Sequence, residues 1–226
     1  MDIILLPGLW LDQTAWSDVV PALEAAGHQI HTPTLPGQGD GNTLATLDDQ
    51  IQTVLSTLDQ CASPALVVGH SAAATLAWLV ADRRPEAVAR VALIGGMPCA
   101  EGEQYASFFE PVDGLMSFPG WDPFAGPDSD DLGDEQKASI ASKTIAMPAT
   151  ITHAPVHYTD PRRHQVPVVL VCPEFSTEDA KAWFEAGDMP ELTPVEQLSF
   201  VDIDSGHWPM FSQPESLARV LADCCP

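Results

Sequence analysis

The chain has 226 residues, 45% of them hydrophobic, and its 32 acidic residues against nine basic ones give a net charge of −23 at pH 7. That size and composition describe a single globular domain with a sizeable core and disfavour disordered or fibrous classes. The charge disfavours nucleic acid and anionic membranes as partners, and no apolar run reaches the roughly 18 residues of a spanning helix.

The N-terminal stretch MDIILLPGLW lacks a basic segment and a small-residue cleavage site, so a cytoplasmic location is expected. The five cysteines (Cys61, Cys99, Cys172, Cys224, Cys225) are odd in number and show no CxxC spacing, which argues against a disulfide framework or a zinc site. A small-molecule substrate is the expected partner, on a monomer or a small homo-oligomer.

DIILLP reads as a buried strand ended by a Pro-Gly turn. TAWSDVVPALEAAG has helical spacing and stops at Gly27. HQIHTPTLPGQGD supplies a second strand and a loop. TLDDQIQTVLSTLDQ is predicted helical, with Thr46 and Asp49 spaced as a capping box. PALVVGH is a third strand, SAAATLAWLVADRRP a helix that ends before Pro85, and VARVALIGG a fourth strand. VPVVLVCP and STEDAKAWFEAG form another strand and helix, with Ser176 and Asp179 as the capping pair. EQLSFVDID is the last strand and QPESLARVLADCC the last helix.

Continuously apolar strands alternating with helices predict an α/β fold: a doubly wound, mostly parallel sheet of about six strands with helices on both faces. Residues 98–165 interrupt that rhythm with Pro, Gly, aromatic and acidic residues. They are expected to form a small cap inserted after the fourth strand, leaving 1–97 and 166–226 as the core. The acidic run at 128–135 invites a calcium reading. Leu132 and Ser139, however, stand where an EF-hand loop needs ligands, so a solvated acidic loop is expected.

Gly69-His70-Ser71-Ala72-Ala73 lies where a strand ends and a helix begins. That is the context of a nucleophile elbow, G-x-S-x-G, here with alanine in the last place. Small residues make room for the close approach of strand and helix backbones, and the turn presents the serine oxygen at the carboxyl edge of the sheet. The plain alternative is a helix N-cap serine. His207 lies between the final strand and the final helix, where a hydrolase with chain order Ser…acid…His keeps its base. The Pro-Gly turn after the first strand can aim the Leu9 N–H beside that of Ala72, a pair of donors suited to an oxyanion. Trp10, His70, Met97, Trp121, Phe124 and Trp208 sit on loops that frame this site and are candidate pocket walls.

These segments resemble the α/β-hydrolase superfamily. The likeness is strongest in LPGLWLDQTAWSDVVPALEAAGHQIHTPTLPGQGD, VVGHSAAATLAW and SGHWPMFSQPESLARVL, and closest to its compact esterase-like members. The resemblance implies a cofactor-free enzyme with Ser71 as nucleophile, His207 as base and the Leu9 and Ala72 amides as oxyanion hole. It also implies an acid shortly after the penultimate strand, in CPEFSTEDAKAW, where the aligned place falls near Phe175 or Ser176. Glu174 is the first candidate for that acid. Glu178 and Asp179 suit the first helical turn, and Glu101, Glu103 and Asp204 are further alternatives.

The leading reading is a serine hydrolase acting on a small neutral ester, lactone or thioester, with no cofactor and no metal. A cofactor-free lyase of the hydroxynitrile-lyase type is the alternative enzyme. It would need a cation in the cap, where Lys137 and Lys143 are the only lysines. A non-catalytic ligand-binding protein on the same frame is the third reading.

Overall fold

Apolar runs without interruption become the central strands, and the more polar runs become the edges. A computed structural model describes residues 1–225. The chain runs through β1 (Asp2–Leu6), a 3₁₀ turn (Gln13–Trp16), α1 (Val20–Ala25), β2 (Gln29–His31), α2 (Leu47–Leu58), β3 (Ala65–His70), α3 (Ala73–Arg83) and β4 (Val88–Ile94). The inserted segment carries β5 (Leu115–Met116), α4 (Asp134–Ala141), β6 (Met147–Pro148) and α5 (Ala149–Thr152). The core then resumes with β7 (Val168–Cys172), α6 (Thr177–Ala186), β8 (Leu198–Asp202), α7 (Pro209–Ser212) and α8 (Pro214–Asp223).

The main sheet has the order β2-β1-β3-β4-β7-β8 and every pairing in it is parallel. Each central strand alternates its side chains between two cores. Ile4, Leu6, Val67, Val91, Leu93 and Leu170 face α2 and α3, while Ile3, Leu5, Leu66, Val68, Ala92 and Val169 face α1 and α8. Burying each such side chain contributes roughly 1.5–3 kcal/mol. That two-sided burial explains why these strands read as unbroken apolar runs.

The first predicted helix differs in detail. Pro21 cannot donate a backbone N–H within a continuing helix, so the segment splits into the 3₁₀ turn and α1, with Pro21 in its opening turn. The capping boxes form as expected, Thr46 with Asp49 and Ser176 with Asp179. Among the described residues no helix is long and apolar enough to cross a membrane.

Strand order places the site. From β1 the chain first moves outward to β2, then returns on the other side of β1 to β3. Loops leaving β1 and β3 therefore diverge and leave a crevice at the carboxyl edge, where ligands bind in sheets of this kind. Leu9 follows β1 and Ser71 follows β3.

Candidate active site

Ser71 stands immediately after β3 with φ at +55°, a left-handed conformation that a non-glycine residue adopts only when its surroundings enforce it. They do so here. The Ser71 N–H donates to the Ile94 carbonyl at 2.8 Å, and its carbonyl accepts from the Ala74 N–H at 2.9 Å. A Cβ on Gly69 would lie 2.2 Å from the Ala73 carbonyl oxygen, and one on Gly96 would lie 2.4 Å from the Ser71 carbonyl oxygen. Both glycines are thus spatial requirements of the turn.

His207 enters from the loop after β8. Ser71 Oγ donates to His207 Nε2 at 2.9 Å, and His207 Nδ1 donates to Glu174 Oε1 at 2.6 Å. Glu174 lies on the short connection between β7 and α6, the neighbouring strand's carboxyl end. The carboxylate thereby fixes the imidazole tautomer, leaving Nε2 as the acceptor toward the serine. The other acids are engaged or remote. Asp179 caps α6, Glu101 meets His157 Nδ1 at 2.8 Å, Glu103 accepts from the Ala100 N–H at 2.9 Å, and Glu178 and Asp204 are exposed.

Two features near His207 carry no signal at the level of sequence pattern. The His207 N–H donates to the Asp128 carbonyl at 2.8 Å, and the Gly206 N–H donates to the Asp131 carboxylate at 2.6 Å. The acidic stretch 128–131, expected to be only a solvated loop, therefore grips the histidine loop. A Cβ on Gly206 would fall 2.4 Å from both the Asp128 carbonyl and Asp131 Oδ1, so the grip requires glycine there. Asp131→Ala is expected to lower kcat about tenfold with KM nearly unchanged, because His207 loses positioning and the cavity walls are kept. Asp131→Asn, which still offers an oxygen acceptor, should restore most of the rate. Steady-state kinetics on the two variants checks both parts.

His70, beside the serine, is fully buried, and its Nε2 donates to the His207 carbonyl at 2.7 Å. Its pKa is pushed down to about 3, first by burial and second by the charge of His207. The native state thus excludes a proton that the unfolded chain takes up near the ordinary value of 6.5. Stability should accordingly fall as pH drops below 6.5, by about 2 kcal/mol from this residue at pH 5. Urea titrations at pH 7 and pH 5 measure this, and His70→Asn should flatten the difference.

Leu9 and Ala72 border the same cavity as Ser71, and their N–H groups donate to no group among the described residues. Two preorganised donors of this kind suit a developing oxyanion. Trp10 adopts φ of +64° and is held on three sides. Its Nε1 donates to the Met116 carbonyl at 3.1 Å, its carbonyl accepts from the Ile145 N–H at 2.9 Å, and its ring meets Phe118 and Phe124 edge-on. The inserted segment and the donor loop are thereby one packed unit.

The cavity has a volume of about 490 Å³, which matches a small organic ligand. Of the expected walls, Trp10, His70, Met97, Phe124 and Trp208 line it. Trp121 does not. It stands behind Trp208, edge-on at 5.1 Å, and its Nε1 donates to the Lys137 carbonyl at 3.0 Å. Buried aromatics of the insertion serve packing as readily as lining, and Trp121 supports Trp208 from behind. Tyr105, Phe108, Phe109 and Cys99 add to the walls, with Thr75 and Glu103 as polar members, and nothing in the local sequence separates them from their neighbours. Neither cap lysine reaches the cavity: Lys137 lies over the Trp121 ring, and Lys143 borders a separate crevice with Asp12 and Asp18.

The chain belongs to the alpha/beta hydrolase family, whose family model matches residues 3–220. Among curated proteins, it is 33% identical to a pyrethroid hydrolase from Sphingobium wenxiniae, over 98% of this chain and 86% of the relative. It is 37% identical to a pimeloyl-[acyl-carrier protein] methyl ester esterase from Aromatoleum aromaticum. That match covers 43% of this chain and 38% of the relative, so the chain spans well under half of that protein's length. Among solved structures, an extracellular alpha/beta-hydrolase from a Paenibacillus species superposes with a TM-score of 0.82 at 16% identity, covering 99% of this chain and 98% of that one. A pyrethroid hydrolase from Sphingobium faniae gives 0.70 at 21% identity, covering 99% and 96%. These two structural likenesses concern the fold.

Proposed function

We propose that the protein is a serine carboxylesterase for small, neutral, largely apolar esters. The observation that carries the reading is the unbroken Ser71–His207–Glu174 chain of hydrogen bonds opening onto the 490 Å³ cavity. Curated relatives named as esterases and hydrolases support the same chemistry.

In this mechanism His207 Nε2 takes the proton from Ser71 as the oxygen attacks the ester carbonyl. Glu174 stabilises the imidazolium that results. The Leu9 and Ala72 N–H groups receive the charge that develops on the carbonyl oxygen, each worth about 3 kcal/mol in the transition state. His207 then returns the proton to the departing alcohol, and water, activated by the same nitrogen, releases the acid from Ser71. The aromatic and aliphatic walls favour an apolar acyl or alcohol portion, and the charge of −23 disfavours anionic substrates at long range.

The five thiols are unpaired, which suits a reducing cytoplasm. The test is a side-by-side assay of purified protein with p-nitrophenyl acetate, p-nitrophenyl butyrate and a cyanohydrin. Turnover of the esters alone is expected. Cyanohydrin cleavage that exceeds ester turnover would replace the reading with a lyase.

A further inference from the structure

At the opposite end of the strands from Ser71, three segments bring together a carboxylate, an imidazole and a thiol. Asp2 opens β1, His31 closes β2, and Cys61 follows α2. One ligand-type atom from each lies within 4.8 Å of the other two. The spacing of about thirty residues between successive members forms no motif, and the expectation against a zinc site rests only on the odd cysteine count and the lack of CxxC spacing.

The arrangement is held from outside as well as within. Asp2 Oδ1 meets His31 Nε2 at 2.8 Å, and Asp2 Oδ2 accepts from the Ala62 N–H at 3.3 Å, so the backbone beside Cys61 already orients the carboxylate. Asp2 is buried and the other two are half-buried, which leaves one side open to solvent. The trio does not serve as a second nucleophilic centre. Burial and the Asp2 charge push the Cys61 thiol up to about 11, and its Sγ donates to the Thr57 carbonyl at 3.5 Å.

We propose that Asp2, His31 and Cys61 form a zinc-binding site, with Asp2 Oδ1, His31 Nε2 and Cys61 Sγ as ligands and water in the fourth position. One oxygen, one imidazole nitrogen and one sulfur are a donor set that zinc accepts in tetrahedral geometry. Zinc–ligand bonds of about 2.0–2.3 Å place such donors roughly 3.4–3.7 Å apart. The Asp2–His31 contact, now 2.8 Å, must therefore open by about 0.6 Å, and the separations to Cys61, all within 4.8 Å, need close by at most about 1.2 Å. Binding releases the thiol proton to solvent, leaves the His31 ring proton on Nδ1, and balances two anionic ligands against the dication. The ion would staple the three-residue edge strand β2 and the end of α2 to β1.

The experiment titrates metal-stripped full-length protein with Co²⁺, reading thiolate-to-cobalt charge-transfer absorption, and then with Zn²⁺, reading the melting temperature. One equivalent of Co²⁺ should produce the band, and Zn²⁺ at a hundredfold excess over Kd should raise Tm by roughly 5–10 °C. Cys61→Ser should abolish the band and the Tm shift while retaining ester turnover, which reports that it is folded. His31→Gln provides the same test if Cys61→Ser does not fold, and Cys225→Ser should keep the band. Absence of the band in the unaltered protein, or its persistence in Cys61→Ser or His31→Gln, would overturn the site.

Discussion

Ser71→Ala is expected to lower kcat for p-nitrophenyl butyrate by roughly 10⁶-fold, with KM changed little. Alanine removes the oxygen that His207 Nε2 is placed to activate, at 2.9 Å, and leaves the apolar walls intact. What rate survives would come from the Leu9 and Ala72 donors acting on water attack. The loss should also be non-additive. Because serine and histidine act as one unit, Ser71→Ala with His207→Ala should be no slower than Ser71→Ala alone. The methyl group of alanine is smaller than the hydroxymethyl it replaces and keeps the elbow residues small, so melting temperature should be nearly unchanged. Stopped-time assays with high enzyme concentration, alongside thermal melts, separate loss of chemistry from loss of fold.

Glu174→Gln is expected to lower kcat by roughly 10⁴-fold, again with little change in KM. The side chain keeps its shape, and an amide still reaches His207. It no longer holds the proton on Nδ1 by charge, and it gives no stabilisation to the imidazolium. The carboxylate sits closely boxed: a Cβ on Gly95 would lie 3.2 Å from Glu174 Oε2 and 3.1 Å from His207 Nδ1. The site therefore has no room for a second acid to replace Glu174 without rearrangement. Glu101→Gln and Glu103→Gln serve as comparisons. Equal losses in either would shift the acid's role to the connection after β4, and a full rate in Glu174→Gln would remove it from the relay.

Much of this architecture is legible in the chain because the physics is local. Continuous Val, Ile and Leu runs mark strands buried on both faces, and Thr46, Ser176 and Gly27 punctuate helices through groups within a few residues. Ser71 could be picked out because the elbow needs glycine before it and small residues after it. The acid is less legible. Glu174 falls a residue or two ahead of the expected place, and only the path of the β7–α6 connection turns it toward His207.

The rest depends on contacts between distant segments, which leave no periodic trace. Asp131 meets Gly206 across 75 positions, and Trp10 meets Met116 across 106. A charge run is usually a solvated face, and most of 128–135 is one. The two backbone contacts that fasten the histidine loop involve a carbonyl and a single carboxylate oxygen, neither of which composition can single out. Trp121 shows the converse limit: an aromatic in the inserted segment can line the cavity or brace the residue that does.

The most direct measurement is mass spectrometry of the purified protein after reaction with a fluorophosphonate. One adduct per chain is expected, carried on the peptide that contains Ser71 and absent from Ser71→Ala. Folded protein that takes no adduct, or takes it equally in Ser71→Ala, would contradict the assignment of Ser71 as an activated nucleophile.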